Sequence, residues 1–354
     1  MHIVVVGLNH RSAPIELRER LAFRREQVPV ALMRLRNDVG LREAAILSTC
    51  NRVEIYAGVP ELNGTMDRLH RFLSEHSGIE LAGLVPRLYT HTEPESVHHL
   101  FAVTSGLDSM VVGEGEILHQ VKHAYEWAKA HGATGKVLNV LFQRALNAAK
   151  DVRTQTAIGR GCTSIGTVSV ELAGKIFGHL DGAVVLLIGA GKIGEVTLKR
   201  LAVRGIREIR LMNRTLDRAV SLAADYQAVP VGFDQMPQQL READIVICST
   251  SADGHLLQRD VVAAAMRARR QRSLCIVDLG VPRNVDPSVG ALENVYLFDV
   301  DDLQGLVAHS HRERQQAITQ SREILDRKVE RFLSWWQEEL GTCVPSFSGP
   351  AAAP

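Results

Sequence analysis

Two groups of residues in this chain have the types and spacing of a reaction centre. The first is Thr49-Cys50-Asn51-Arg52, a lone cysteine between the apolar stretches AAILS and VEIYAGV. A polar break of this kind ends one strand, exposes a side chain and begins the next strand. A thiolate is a nucleophile where it is accessible and electrostatically supported. Asn51 can donate a hydrogen bond to a developing oxyanion, and Arg52 brings positive charge. Cys248 and Cys275 sit in apolar runs and read as core, and Cys343 lies in a small-residue tail. Cys162, which follows a glycine at a helix start, is the rival nucleophile.

The second group is Gly189-Ala190-Gly191-Lys192-Ile193-Gly194, between the apolar run AVVLLI and a helix-length segment. In such a turn the first glycine makes the bend, the second lets the backbone approach a pyrophosphate, and the third packs the helix close. N–H groups at the helix start bind the phosphates. The next strand ends in Asn213-Arg214-Thr215, where an NAD site usually has an acid for the ribose hydroxyl. A guanidinium and a hydroxyl suit a 2′-phosphate, so NADPH is expected. A thiol and a dinucleotide site in one chain suggest acyl capture followed by hydride transfer.

These residues need elements to hold them. HIVVVGL, AAILS and VEIYAGV read as strands, and EQVPVALMRLRN as a helix with Val30, Met33 and Leu35 among its apolar positions. A helix from Glu114 to Lys129 would gather Ile117, Leu118, Val121, Ala124, Tyr125 and Ala128 on one face, with Glu114 and Glu116 in its first turn. Another, from Lys136, carries Val137, Val140, Leu141, Ala145, Ala148 and Val152. Strands separated by helices in this order suggest an α+β domain. Further on, AVVLLI, EIRLM, ADIVIC and LCIVDLG alternate with helical segments, the rhythm of a parallel sheet. From Asp301 to Leu340 one long charged helix carries Ile318, Leu325, Val329, Phe332 and Trp336, close to a coiled-coil seam. A lone helix cannot cover such a stripe, so a second copy of the chain is expected to do so.

Bulk composition narrows the class. With 354 residues, 45% hydrophobic and 23% charged, the chain reads as a soluble globular protein of two or three domains. A net charge of +1 does not indicate a strongly basic nucleic-acid binder, although residues 1–60 hold nine arginines against six acids. The five cysteines lack CxxC spacing, and His98-His99 lacks HExxH spacing, so no metal site is expected. The apolar start MHIVVVGLNHRS has no basic region before it and reads as a strand rather than a leader. No stretch is long enough to span a bilayer, and a reducing, cytoplasmic setting is expected.

The segment HHLFAVTSGLDSMVVGEGEILHQVKHAYEWA is crowded with polar residues, among them His99, Ser109, Glu114, Glu116 and Gln120. Glu116 and Gln120, four apart, share one side of a helix. On these residues, together with GLNHRSAP, STCNR, IGAGKIG, MNRT and VDLGVPRNVDP, the chain resembles the glutamyl-tRNA reductases over all but its tail. The resemblance implies that the Cys50 thiol attacks the ester of glutamate on tRNA(Glu). It implies that Thr49, Asn51, Arg52, Ser109, Glu114, Gly115, Glu116 and Gln120 line the glutamate pocket, and that His99 matters for activity. Where the family often has Pro–Gln after Gly113-Glu114, this chain has Gly115-Glu116, which leaves Gln120 in register. Arg52 would suit a substrate carboxylate, and either Glu114 or Glu116 the ammonium. The implied activity is NADPH-dependent reduction to glutamate-1-semialdehyde through a thioester, the first step of tetrapyrrole biosynthesis from glutamate. Implied partners are a second copy of the chain and glutamate-1-semialdehyde aminomutase.

The expected architecture is an α/β multidomain chain: an N-terminal α+β catalytic domain over 1–158, a Rossmann-type NADP-binding domain over 163–300, a C-terminal helical dimerisation domain over 301–342, and a disordered tail over 343–354. Two other readings compete. A shikimate-dehydrogenase-like oxidoreductase would explain IGAGKIG and the Asn213-Arg214-Thr215 run, but gives no role to STCNR or the long helix. A non-catalytic regulator binding NADP or tRNA would make Cys50 structural or redox-sensing.

Overall fold

The protein is described from a computed structural model. The structure describes residues 1–159, 165–177, 180, 182–204, 206–250, 252, 254–303 and 311–340. Cys162 and the segment 343–354 lie outside the described residues. The chain divides into two compact units, the first from residues 1–162 and 310–354, the second from 163–309.

The first unit is built on a four-stranded antiparallel sheet. Its strands are β1 (His2–Asn9), β2 (Glu43–Ser48), β3 (Arg52–Val59) and β4 (Tyr89–His91), in the order β2-β3-β1-β4. β3 is buried along its whole length, so both of its faces are covered. Pairing of β1 with β3 sets Asn9 opposite Arg52, and pairing of β2 with β3 sets Ser48 opposite Val53. The β2–β3 connection is therefore only Thr49-Cys50-Asn51, held at both ends by sheet. Around the sheet lie α1 (Ile15–Leu21), α2 (Val28–Asn37), α3 (Thr65–Ser77), the short α4 (Leu81–Leu84), α5 (Glu95–Thr104), α6 (Glu116–Ala130) and α7 (Lys136–Gln155).

Two expectations about this unit need correction. In α2 the buried face is Ala31, Leu32 and Leu35, while Val30 and Met33 are each 55% exposed. Positions 31, 32 and 35 share one helical stripe, and 30 and 33 fall on the opposite side of the helix. The α6 helix starts at Glu116 with Gly115 as its cap, so Glu114 belongs to the preceding turn rather than to the first helical turn.

The second unit holds a six-stranded, wholly parallel sheet. Its strands are β5 (Val184–Ile188), β6 (Glu208–Met212), β7 (Val229–Val231), β8 (Ile245–Cys248), β9 (Leu274–Asp278) and β10 (Val295–Phe298). They are ordered β10-β9-β8-β5-β6-β7. β5 pairs with β6 on one side and β8 on the other, which makes its end the topological switch point where such sheets bind ligands. The helices are α8 (Ile165–Phe177), α9 (Lys192–Ala202), α10 (Leu216–Tyr226), α11 (Met236–Glu242) and α12 (Arg259–Ala268). Among the described residues, no helix is long and apolar enough to cross a membrane.

The last helix, α13 (His311–Leu340), corrects a larger expectation. It packs on α5 and α7 of its own chain. Ile318, Leu325, Val329, Phe332 and Trp336 join one hydrophobic core with Leu100, Phe101, Leu141, Ala145 and Val152. Phe332 meets Phe101 edge-on at 6.4 Å between ring centroids, and Arg144 lies over the Trp335 ring at 4.9 Å. Ion pairs Lys328–Asp151 and Lys136–Glu339 run along its flank. The stripe assigned to a second copy of the chain is thus covered within the chain. The helix expected within 301–342 completes the core of the first unit.

Candidate active site

The Thr49–Asn51 turn is tied from several directions. Thr49 accepts through Oγ1 from the backbone N–H of Asn51 at 3.2 Å and of Arg52 at 3.1 Å. The His10 N–H donates to the Asn51 carbonyl at 2.9 Å, extending the β1–β3 pairing into the turn. From α1, Arg18 donates through Nη1 to the Cys50 carbonyl at 2.5 Å and to Asn51 Oδ1 at 3.4 Å. Arg18 is fully buried. Cys50 is half-buried with a free thiol. Desolvation of the sulphur, aided by the Glu114 carboxylate, pushes this thiol up to about 12, while Arg18 pulls it down.

Arg52 takes a different place from the one expected. It is 1% exposed, and Nη1 donates to Glu54 Oε1 at 2.7 Å while Nη2 donates to Asp108 Oδ2 at 2.9 Å and to the Asp108 carbonyl at 2.5 Å. Its guanidinium is committed to this network, so in this conformation Arg52 braces the loop and is not open to a substrate carboxylate. Glu54, fully buried, also accepts from Tyr56 Oη at 2.5 Å, Tyr89 Oη at 2.5 Å and His99 Nε2 at 2.7 Å. These donors, and above all the Arg52 charge, hold its carboxyl far below the usual range despite burial. A carboxylate bonded to one imidazole nitrogen fixes the ring and its tautomer, leaving Nδ1 of His99 for other chemistry. The His99 ring stands 4.9 Å from His91 and 5.4 Å from Tyr89, centroid to centroid.

The loop between α5 and α6 brings the remaining expected residues to the same end of the sheet. Asp108 anchors it, accepting from Arg52 and from Arg11 Nη1 at 2.8 Å. Arg153 of α7 donates to the carbonyls of Gly113 at 2.9 Å and Glu114 at 3.3 Å, and its guanidinium would meet any side chain placed at Gly115. Burial and the neighbouring Glu116 raise the Glu114 carboxyl to about 7. The buried Ser109 hydroxyl lies close enough to lower it again, short of a formed hydrogen bond. Glu116 and Gln120 lie half-buried in the first two turns of α6. Sequence reasoning missed Arg18, Glu54, Asp108 and Arg153. A charge on the apolar face of IELRERL and an acid inside the apolar run VEIYAG were the available signals for the first two.

In the second unit the Gly189–Gly194 turn joins β5 to α9. Gly189 has φ +116°, and a Cβ there would stand 2.7 Å from the Ser249 carbonyl oxygen. A Cβ on Gly194 would come within 2.0 Å of the Gly189 carbonyl oxygen, so helix and turn touch. A Cβ on Gly191 would meet nothing within 4 Å, which leaves that side of the turn open to a ligand. Asn213 braces the turn, accepting from Ala190 N–H at 3.2 Å and donating to the Thr215 carbonyl at 2.9 Å. Arg214 and Thr215 are exposed at the end of β6. The cradle fits a dinucleotide pyrophosphate against the start of α9, where Lys192 and Ile193 form the first turn.

Both units are similar to known proteins. Residues 6–156 match the family described as glutamyl-tRNAGlu reductase, N-terminal domain, and residues 171–306 match shikimate / quinate 5-dehydrogenase. The glutamyl-tRNA reductase of Syntrophotalea carbinolica is 43% identical over 335 residues, 95% of this chain and 76% of that one. The Geobacter metallireducens enzyme of the same name is 42% identical, covering 95% and 77%. Among solved structures, the glutamyl-tRNA reductase from Methanopyrus kandleri aligns with a TM-score of 0.52 at 33% identity, covering 95% of this chain and 81% of that one. The dehydrogenase likeness is confined to the second unit, which accounts for the motifs behind the shikimate-dehydrogenase reading without extending it to the whole chain.

Proposed function

We propose that this chain, which belongs to the glutamyl-tRNA reductase family, reduces the glutamyl ester of tRNA(Glu) to glutamate-1-semialdehyde through a thioester on Cys50, the first step of tetrapyrrole biosynthesis from glutamate. The observation that carries this reading is the Cys50 turn, clamped by Arg18 and faced by the Glu114 carboxyl, in a chain whose second unit carries the Gly189–Gly194 cradle. Cys50 Sγ attacks the ester carbonyl carbon. The bond to the tRNA ribose oxygen breaks, and the thiol proton ends on that oxygen, leaving glutamate as a thioester. NADPH, when bound at the cradle, supplies one hydride to the thioester carbonyl carbon. With the uptake of one proton the C–S bond to Cys50 would then break, releasing the aldehyde and returning the thiol.

The Asn51 side chain supports the oxyanion, and His99, held by Glu54, serves as the imidazole of the site. Ser109, Glu114, Gly115, Glu116 and Gln120 shape the glutamate pocket, with Glu114 or Glu116 on the substrate ammonium. Thr49 fixes the turn. Arg214 and Thr215 favour a 2′-phosphate over a bare ribose, hence NADPH over NADH. A thiol nucleophile works only when reduced, which suits a cytoplasmic setting. The homodimer and the docking of glutamate-1-semialdehyde aminomutase rest on the resemblance alone, and the dimer needs a surface other than the α13 stripe.

Incubation with glutamyl-tRNA and no NADPH, followed by mass spectrometry, should show a glutamyl adduct on the Cys50 peptide. Cys50→Ser should fold, bind NADPH and lose turnover by several orders of magnitude, because a hydroxyl is hardly ionised at neutral pH. Near-normal turnover in Cys50→Ser would sink the thioester route.

A further inference from the structure

A charged residue on the apolar face of a short helix is costly unless its charge is used. The α1 helix buries Ile15, Arg18 and Leu21 on one face, and Arg18 is as inaccessible as the leucine. Its Nη1 reaches two positions in the adjoining turn, the Cys50 carbonyl at 2.5 Å and Asn51 Oδ1 at 3.4 Å. Arg52, the cation adjacent in sequence, is drawn away to Glu54 and Asp108. The charged groups facing the Cys50 sulphur are then Arg18 from α1, Glu114 from the preceding loop and Glu116 from the start of α6. The two acids oppose a thiolate, and Arg18 alone among these three supports one. At the end of β1, His10 is held neutral, lowered to about 4 by burial and by Arg11, Arg52 and Arg18, so it adds no positive charge.

We propose that Arg18 is a positioning residue for the reaction: it clamps the carbonyl of Cys50 and the amide oxygen of Asn51, and it supplies the buried positive charge that makes the Cys50 thiolate accessible beside Glu114. The inference rests on Cys50 being the nucleophile. The two contacts set the direction of the turn. The charge acts through the low-dielectric interior, where a guanidinium interacts more strongly than it would in water. The same charge stabilises negative charge on the carbonyl oxygen of a substrate attacked by Cys50. Arg rather than Lys is suited to the place because its guanidinium is planar and its charge survives burial.

The test is the pH profile of Cys50 alkylation by iodoacetamide in the full chain, read on the Cys50 peptide, for wild type, Arg18→Gln and Arg18→Lys. Thermal unfolding and NADPH binding serve as controls for the fold. In Arg18→Gln the apparent pKa of alkylation should rise by about one unit or more, a roughly tenfold slower reaction at a fixed pH below it. Adduct formation from glutamyl-tRNA without NADPH should slow by a similar factor. Arg18→Lys keeps the charge and should return the profile to within about 0.3 unit of wild type, while turnover stays depressed because the ammonium lacks the planar guanidinium that fixes the turn. Superimposable profiles for folded Arg18→Gln and wild type would overturn the proposal and leave Arg18 a purely structural residue. If Arg18→Gln is insoluble, folded Arg18→Lys decides the matter, since a rise of a full unit there would equally overturn it. Absence of a glutamyl adduct in wild type would instead refute the Cys50 reading, which alkylation does not depend on.

Discussion

Glu114 and Cys50 give the first unit a pH dependence that each would lack on a surface. Burial and Glu116 raise the Glu114 carboxyl to about 7 in the folded chain, whereas in the unfolded chain it returns to the ordinary carboxylate range. The folded state therefore binds a proton that the unfolded state releases. That contribution to stability is complete below the unfolded pKa and is lost as pH rises through about 7. Glu114→Gln cannot ionise, so its stability relative to wild type should increase from pH 5 to pH 8, by on the order of 2 kcal/mol. Thermal unfolding of both proteins across that range measures this directly. A wild-type-minus-variant difference that is flat with pH would mean Glu114 ionises as an exposed acid does. Asp278, also raised to about 7 by burial, leaves part of the slope in both proteins.

The β5–α9 turn shows what an element contributes that its residues alone do not. Gly189 and Gly194 are needed because a Cβ at either would strike backbone, and Asn213 is needed as a brace from β6. Of the three residues expected to read the ribose, only Arg214 and Thr215 are exposed to do so. Arg214→Ala should raise the KM for NADPH by about ten- to a hundredfold, the value of a charge-assisted phosphate contact, while barely changing weak use of NADH. Parallel loss with both cofactors would assign Arg214 to the fold. Steady-state kinetics with the two cofactors separate these outcomes.

For the molecule as a whole, α13 is the decisive element, because it closes the core of the first unit from the far end of the sequence. Phe332 and Trp336 are fully buried against α5 and α7, and Thr156 and Ser321 hydroxyls meet at 3.2 Å inside the same contact. Phe332→Ala should destabilise the first unit by about 3–5 kcal/mol, as a large aromatic removed from a packed core does. Leu325→Asp with Phe332→Asp should unfold that unit rather than release well-folded monomers. Circular dichroism melts and sedimentation velocity on the same samples distinguish the two. Folded monomers from the double variant would restore the stripe to an interface between chains.

Features whose cause is local were legible in the chain before it folded. Strand–turn–strand around Cys50 follows from two apolar runs broken by Thr-Cys-Asn, and the dinucleotide turn follows from its glycine pattern, in which Gly189 and Gly194 admit no side chain. The parallel sheet follows from short apolar runs spaced by helices, although the edge strands β7 and β10, three and four residues long, were too short to stand out. Which charges face which, by contrast, depended on distant segments meeting. Arg52 looked available to substrate until β3 proved covered on both faces and Glu54 and Asp108 closed on its guanidinium. Arg18 went unread in the sequence, because its role depends on the turn of Cys50, 32 residues away, meeting it. The α13 stripe announced that it would be buried but not against what. An apolar stripe specifies only that water must be excluded, and its partner is set by where the chain returns.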